Sequence, residues 1–327
     1  MTNQNEKRTM YYGKGDVFVY RTFVKPLTGL KRIPESNFTE RDNTIFGFNC
    51  QVSLKGDAFL PSFTEGDNSL VVATDSMKNF IQRNAATYQG NTAEGFIKYI
   101  CEAFLARYSH IESVELTANE ISFDNVQVPK GDGHENSEVV YRRSRNESAT
   151  TTIEVQRTAT GSEVTKHSSG IVGVQLIKIK GSSFYGFIRD EYTTLPEAHD
   201  RPLFIYLDFN WEYTNIEDAS GVNPEKYVAA EQICDIANTV FHELDNRSIQ
   251  QLIYHIGLRI LERFPQLDNV QFKTNNRTWE TVVEEIPNSE GSVYQEPRPP
   301  FGFQGFIVTQ EDLKKKATAD AVVSAVQ

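Results

Sequence analysis

The sequence predicts an α+β protein built from two tandem ββααββ units, with antiparallel sheets covered on one face by helices. Three observations carry that expectation. Phe96–Leu116 (FIKYICEAFLARYSHIESVEL) and Leu252–Phe272 (LIYHIGLRILERFPQLDNVQF) align without a gap at an offset of 156 residues. Ile97/Ile253, Ile100/Ile256, Leu105/Leu261, Arg107/Arg263 and Val114/Val270 are identical across the pair, the mark of an internal duplication. Around this repeat, each half opens and closes with strand patterns and carries two helical patterns between them.

In the first half, strands are predicted over 16–24 and 44–54. Leu70–Ala73 is a short apolar run, as in a buried strand, and Thr74, Asp75 and Ser76 follow as helix N-cap types. Met77, Phe80 and Ile81 recur at helical spacing, so a helix is predicted over 75–86, with a second over 92–108. Strands over 111–128 and 138–158 close the half. The second half repeats the order, with strands 171–188 and 202–213, helices 224–244 and 248–264, and strands 267–285 and 301–308. Segments 129–137 and 286–300 are rich in Gly, Pro, Asn, Glu and Ser and read as hairpin loops. The units are 1–160 and 161–310, and the tail 311–327 reads as either a helix or a disordered segment. Long hairpins with helices on one face make an antiparallel layer structure.

A chain of 327 residues suffices for one large or two medium domains, and 39% hydrophobic residues give material for a core. The net charge of −11 argues against nucleic acid or anionic membrane as the main partner. A small anionic ligand stays open, because one Lys or Arg can dominate a pocket. No apolar stretch approaches the roughly 20 residues that cross a bilayer. The N-terminus MTNQNEKRTM has no apolar core, so no signal peptide is expected, and the end SAVQ is not a peroxisomal SKL-type tail. Cys50, Cys101 and Cys234 include no CxxC and read as reduced, buried thiols of a cytoplasmic protein. The six histidines form no HxH or HExxH, so no metal site is expected. GxGxxG and GxxxxGK[ST] are also missing, which gives no dinucleotide or nucleoside triphosphate fingerprint.

The run Asn68–Phe80 (NSLVVATDSMKNF) holds the sharpest chemical signal. A strand feeding straight into a helix N-terminus presents free N–H groups and a positive dipole end, which suits an anionic or carbonyl-rich ligand. The plain alternative is an ordinary N-cap. Lys14, in YGKGDVFVY, reads as a solvated lysine or, between Gly13 and Gly15, as one held where backbone approaches a ligand closely. Phe184 lies in a strand pattern running from Ile177 and reads as core or as a stacking face. Arg201 reads as a partner for Asp200 or as a planar donor fork. Ser248 and Asp245 read as plain N-cap candidates.

VVATDS-x-KN, together with Tyr12–Asp16 (YGKGD), Phe184–Arg201 (FYGFIRDEYTTLPEAHDR), Ser248–Gln250 (SIQ) and Thr274–Trp279 (TNNRTW), resembles the urate oxidase (uricase) family. The resemblance spans the chain from near its N-terminus to about residue 308. It implies a tunnelling fold (T-fold), in which two subunits close a barrel of strands and two barrels stack into a homotetramer. Closure would remove the bare edges of an open antiparallel sheet. It implies cofactor-independent oxidation of urate by O₂ and water to 5-hydroxyisourate and hydrogen peroxide, in purine degradation. Urate and O₂ are then the small-molecule partners, and neither metal nor cofactor is needed.

Carried over residue by residue, the resemblance makes Lys14 and Thr74 a proton relay. Thr74 and Asp75 also contact the substrate, Phe184 stacks on the purine and Leu195 lines the pocket. Arg201 and Gln250 form a two-pronged clamp, Ile249 adds a backbone N–H, and Asn275 or Asn276 faces O₂ or the attacking water. The Lys–Thr group and the Phe–Arg–Gln group come from different subunits, so the active sites lie at subunit interfaces. One departure stands out. Many members carry Asn-x-His, whereas this chain has Asn275, Asn276 and Arg277. An arginine in the histidine's place cannot act as a base near neutral pH, which leaves the third relay member open. Two other readings stay open on the sequence: a pterin- or purine-processing T-fold enzyme of other chemistry, and a non-catalytic purine-binding protein.

Overall fold

A computed structural model describes residues 10–326 apart from 144, 278, 297 and 298, with side chains up to residue 318. The elements run β1 (Tyr11–Thr22), β2 (Ile45–Lys55), α1 (Leu60–Thr64), α2 (Thr74–Ala85), α3 (Ala93–Arg107), β3 (Ser113–Glu120), β4 (Asp124–Lys130), β5 (Gly133–Arg142) and β6 (Ser148–Arg157). They continue with β7 (Ser162–Lys178), β8 (Leu203–Tyr213), α4 (Ala230–Glu243), α5 (Ile249–Arg263), β9 (Leu267–Arg277), β10 (Glu280–Val283), β11 (Val293–Gln295), β12 (Gly302–Thr309) and α6 (Gln310–Val326).

Eight strands form one sheet in the order β1-β2-β3-β6-β7-β8-β9-β12, and every neighbouring pair is antiparallel. The strand period of two decides which residues enter the core. In β8, Leu203, Ile205, Leu207, Phe209, Trp211 and Tyr213 are buried while the residues between them are half-buried. The core falls into two clusters. One packs α2 and α3 on β1, β2, β3 and β6, around Phe48, Phe96 and Phe104. The other packs α4 and α5 on β8, β9 and β12, around Phe209, Trp211 and Ile256. Gly257 lets α5 lie close on β12, since a Cβ there would meet Val308 Cγ2 at 2.5 Å. Cys50 and Cys101 are buried free thiols, and burial pushes the Cys50 thiol up to about 12.

The duplication is exact in the helices that carry it. α3 and α5 are both 15 residues long, and their ends are related by the same 156-residue offset. Thr92 and Ser248, also at that offset, cap them in the same way: each hydroxyl accepts the N–H of the residue three on, Gly95 and Gln251.

Several sequence expectations need correction. Leu70–Ala73 is not a strand: only Val72 is buried, and Leu70 is 47% exposed. α2 therefore starts at Thr74 itself, after an Ala73 N-cap with no side-chain cap bond. β7 begins at Ser162 and ends at Lys178, so Phe184 lies in a loop, held there by an isolated bridge to Ala198. Positive φ at Gly181 and Gly186 turns the chain out of the sheet. The predicted strands 111–128 and 138–158 each break in two, because β4 and β5 leave the sheet and pair with each other. Most of 129–137 is thus paired, and the turn is confined to Gly131 and Asp132. α4 starts at Ala230, preceded by a 3₁₀ turn over Pro224–Lys226. The tail is helical: Thr309 donates its N–H and hydroxyl to Asp312 at the start of α6, and Lys316 pairs with Glu262 at 3.0 Å. Among the described residues no helix is long and apolar enough to cross a membrane.

Candidate active site

A cleft of about 230 Å³ opens at the N-terminal end of α5. It is lined by the loop between β7 and β8 (Phe184, Leu195, Arg201), by Ile249 and Gln250 of α5, and by Asn276 and Gln304 of β9 and β12. The loop is pinned before it reaches the cleft. Ser183 donates its N–H to the Asn246 carbonyl at 3.0 Å, Asn246 Nδ2 donates to Ser182 Oγ at 3.2 Å, and Arg201 donates its N–H to the Ser182 carbonyl at 2.9 Å. Phe184 and Ala198 exchange two backbone hydrogen bonds across the loop. These ties fix Phe184 and Arg201 against the end of α5.

Arg201 sets the electrostatics. Its guanidinium stands over the Phe184 ring, 5.6 Å from the centroid. Its Nε is buried without a hydrogen-bond partner, and among the described residues it has no ion pair. Burial pushes its pKa down. Asp200, the expected alternative partner, accepts the Gly181 N–H at 2.8 Å instead. Helix geometry adds two donors. Ser248 takes the N–H of Gln251, which leaves those of Ile249 and Gln250 without an intrahelical acceptor, and both residues line the cleft. The cleft therefore offers an aromatic face, a desolvated cation, a helix N-terminus and side-chain amides. That set suits a flat ligand with carbonyl or anionic oxygens on its rim.

The strand register separates the two asparagines. Asn276 lines the cleft, and Gln304 Nε2 donates to its Oδ1 at 3.3 Å. Asn275, one residue earlier, points to the other face of the sheet, as the strand period requires. Arg277 likewise leaves the cleft and stacks on Tyr206, 4.4 Å from the ring centroid. An Asn-x-His pattern counted from Asn276 ends at position 278, not 277, and that position lies outside the described residues.

Lys14, Thr74 and Asp75 do not line this cleft. They form a second group at the other end of the sheet. Lys14 is exposed on β1, at a bulge between Lys14 and Val17. Gly13 serves that strand pairing, because a Cβ there would collide with the Val52 carbonyl. Thr74 is the first residue of α2. Asp75 is exposed and accepts from Lys78 Nζ at 2.8 Å and Asn79 Nδ2 at 2.9 Å. Its pKa is lowered by Lys78 first and, more weakly, by the charge of Lys14. Tyr12, which the sequence reading passed over, joins the strand to the helix through its hydroxyl and Val72. β1 and β12 are opposite edges of the sheet, with six strands between them, so within one chain the two groups are far apart.

Gln304 was also missed, although it left a signal: it is the lone polar side chain in the strand FGFQGF. The positions that carry the cleft differ in chemistry between the two halves. Glu94 and Glu120 stand at the 156-residue offset from Gln250 and Asn276. There the carboxylates are engaged by side chains of this chain. Arg41 pairs with Glu120 at 3.0 Å and with Glu231 at 2.7 Å, while Ser169 and Tyr227 donate to Glu94 at 2.5 and 3.3 Å. Beside Glu94 the void is about 10 Å³, room for one water at most, while wider clefts of about 330 and 310 Å³ open beside Glu120 and Glu231.

Known proteins resemble this chain. The family model described as Uricase matches residues 10–152 and 167–304. A uricase from Haloferax volcanii is 50% identical over 94% of this chain and 100% of its own length. A uric acid degradation bifunctional protein from Bacillus sp. (strain TB-90) is 58% identical over 95% of this chain, which spans 62% of that longer protein. Among solved structures, a uricase from Bacillus fastidious superposes with a TM-score of 0.91 at 65% identity, covering 94% of this chain and 96% of that one. The chain belongs to the uricase family.

Proposed function

We propose that this chain oxidises urate: urate, O₂ and water become 5-hydroxyisourate and hydrogen peroxide. Oxygen gains the two electrons that the purine loses, and water supplies the hydroxyl added at C5. The reading rests above all on Arg201, a partly desolvated guanidinium without a carboxylate partner among the described residues, set over Phe184 and beside Gln250. A flat, carbonyl-rimmed anion supplies what that group lacks. Arg201 and Gln250 grip the purine edge, Phe184 stacks on its face, Leu195 closes one side and the N–H groups at Ile249 and Gln250 add donors. Asn276 faces O₂ or the attacking water. Lys14 and Thr74 move the protons, with Asp75 beside them. The protein's task is to hold an electron-rich dianion and the oxidant in register.

The complete site is built between two chains of a T-fold assembly. Each chain contributes two ββααββ units, and β1 of one copy pairs with β12 of its partner. Two features support this. The unpaired edges of the sheet are β1 and β12, and the two residue groups lie one at each edge. Both edges also expose large apolar side chains, including Tyr11, Phe18 and Tyr20 on β1 and Phe303 (81% exposed), Phe306 and Ile307 on β12. A two-fold axis relating the copies makes each β1–β12 seam equivalent and completes two sites at once. Stacking of two such barrels gives a homotetramer, working in the cytoplasm on urate from purine breakdown.

The test is direct. Purified, metal-free protein is mixed with urate in air, and the loss of the urate ultraviolet band is followed together with peroxide. One peroxide per urate consumed is the expected result. Urate binding without turnover, or turnover only after zinc or flavin is added, rejects the reading.

A further inference from the structure

We propose that Gln304 is a positioning residue that fixes which end of the Asn276 amide faces the reacting oxygen. The inference rests on the urate-oxidising reading above. β9 and β12 pair in a register that sets Gln304 opposite Thr274 and Gly302 opposite Asn276. All four lie on one face of the sheet, because 274 and 276 differ by two residues, as do 302 and 304. The hydrogen bonds run in one direction along this grid. The buried Thr274 hydroxyl donates to Gln304 Oε1 at 3.0 Å, and Gln304 Nε2 donates to Asn276 Oδ1 at 3.3 Å.

An amide on its own does not know its orientation; its neighbours decide. Thr274 needs an acceptor because its hydroxyl proton has to go somewhere inside the sheet. By supplying Oε1, Gln304 is left with Nε2 turned toward Asn276. Asn276 must then turn Oδ1 to meet it, which leaves Nδ2 as the end that can donate into the cleft. Gly302 keeps the corner open for this amide, since a Cβ there would meet Asn276 Oδ1 at 2.8 Å. Charge accumulates on oxygen as O₂ is reduced, so a fixed donor at this point helps the transition state more than it helps purine binding. Arg201, Phe184 and Gln250, which grip the purine, take no part in the chain of bonds.

The assignment predicts a split between oxygen kinetics and purine affinity. In Gln304→Leu the donor to Asn276 is lost, and in the nearly isosteric Gln304→Glu the carboxylate cannot donate at neutral pH. For both, kcat/KM for O₂ is expected to fall at least tenfold, while urate affinity measured under argon stays within twofold of the parent. Thr274→Val removes only the hydroxyl that aims Gln304 and is expected to give a smaller fall of the same kind. It also keeps the test decisive if the Gln304 variants do not fold. Parent-like O₂ kinetics in the folded variants overturn the assignment. So does an equal loss of urate affinity and turnover, which would make Gln304 part of the purine grip. A parent protein that binds no urate under argon would instead defeat the reading of the site, a separate and recognisable failure.

Discussion

The Tyr12 hydroxyl holds both ends of one residue, accepting the Val72 N–H at 2.7 Å and donating to the Val72 carbonyl at 3.3 Å. Val72 lies two residues before Thr74, and Tyr12 two residues before Lys14. One phenol therefore locks the start of α2 to the edge strand and sets Thr74 relative to Lys14. Phe59 packs edge-on against the Tyr12 ring, at 4.8 Å between centroids, and keeps it in place. Tyr12→Phe is expected to cost about 1–3 kcal/mol, since it removes two hydrogen bonds and leaves a half-buried N–H without a partner. Turnover should fall more than urate affinity. Urea unfolding and anaerobic urate titration check both. Burial raises the phenol's pKa against the opposing Val72 bond. The stability that comes with the buried neutral phenol is thus complete below the ordinary tyrosine value of about 10 and is lost as pH rises through the raised folded value.

A site shared between chains can be rebuilt from two broken ones. Lys14→Ala and Arg201→Gln are each expected to lower kcat/KM at least 100-fold, about 2.7 kcal/mol of transition-state stabilisation. Arg201→Gln should leave the melting temperature unchanged or higher, because a half-buried guanidinium whose Nε has no hydrogen-bond partner is replaced by a neutral amide. Unfolding the two inactive proteins together and refolding them should restore roughly a quarter of the parent activity, as half the dimers are mixed and each mixed dimer holds one intact site. Mixtures as inactive as their components would place all the chemistry within a single chain.

Glu94 is the buried first-half counterpart of Gln250. Burial raises its pKa, against the hydrogen bonds from Ser169 of β7 and Tyr227 and the charge of Arg41. A carboxyl raised in the folded state contributes its full stability below the unfolded value of about 4.3, and that contribution is lost as pH climbs through the folded value. Glu94→Gln should therefore melt higher than the parent at pH 8 and equally at pH 4. A gain at both pH values, or at neither, would contradict the sign. Activity should be unchanged at both.

Glu35 works in the opposite sense. Its side chain is 3% exposed, between Arg263 at 2.8 Å and Arg259 at 3.0 Å on α5. Burial alone would raise its pKa, but the hydrogen bonds from Arg263 and Arg259 outweigh it and hold the carboxyl down to about 2. This pair fastens a loop of the first half to a helix of the second. Glu35→Ala should cost about 2–4 kcal/mol at pH 7, where Arg263 loses its carboxylate partner and Arg259 keeps only Glu243 and Glu262. The difference should persist down to about pH 4.3 and narrow as pH falls toward 2. Urea unfolding at pH 7, 5 and 3 measures it.

Local patterns dictated much of the molecule. The 156-residue repeat fixed α3 and α5 to within a residue of their ends, because a helix cap and an apolar stripe are encoded within a few positions. Alternation fixed β2 and β8 for the same reason, whereas the strand predicted over 267–285 ends at Arg277, and β10 follows it in a separate two-stranded sheet with β11. Phe184, Leu195, Arg201, Ile249, Gln250 and Asn276 were all named from motifs, and they do share one cleft.

Other features depend on what lies across the fold. Leu70–Ala73 has the composition of a strand, yet Val72 spends its backbone bonds on Tyr12, sixty residues away in sequence. β4 and β5 leave the sheet because they find each other, and no local propensity records that choice. The choice of Asn276 over Asn275, the exit of Arg277 and the bond from Gln304 all follow from the register of β9 against β12. The residues by themselves determined a helix-backed sheet with a repeated helix pattern and the chemical types that line its cleft. Only the packed chain decided which amide turns inward, and that the two residue groups sit at opposite sheet edges, because both depend on pairings between segments far apart in sequence.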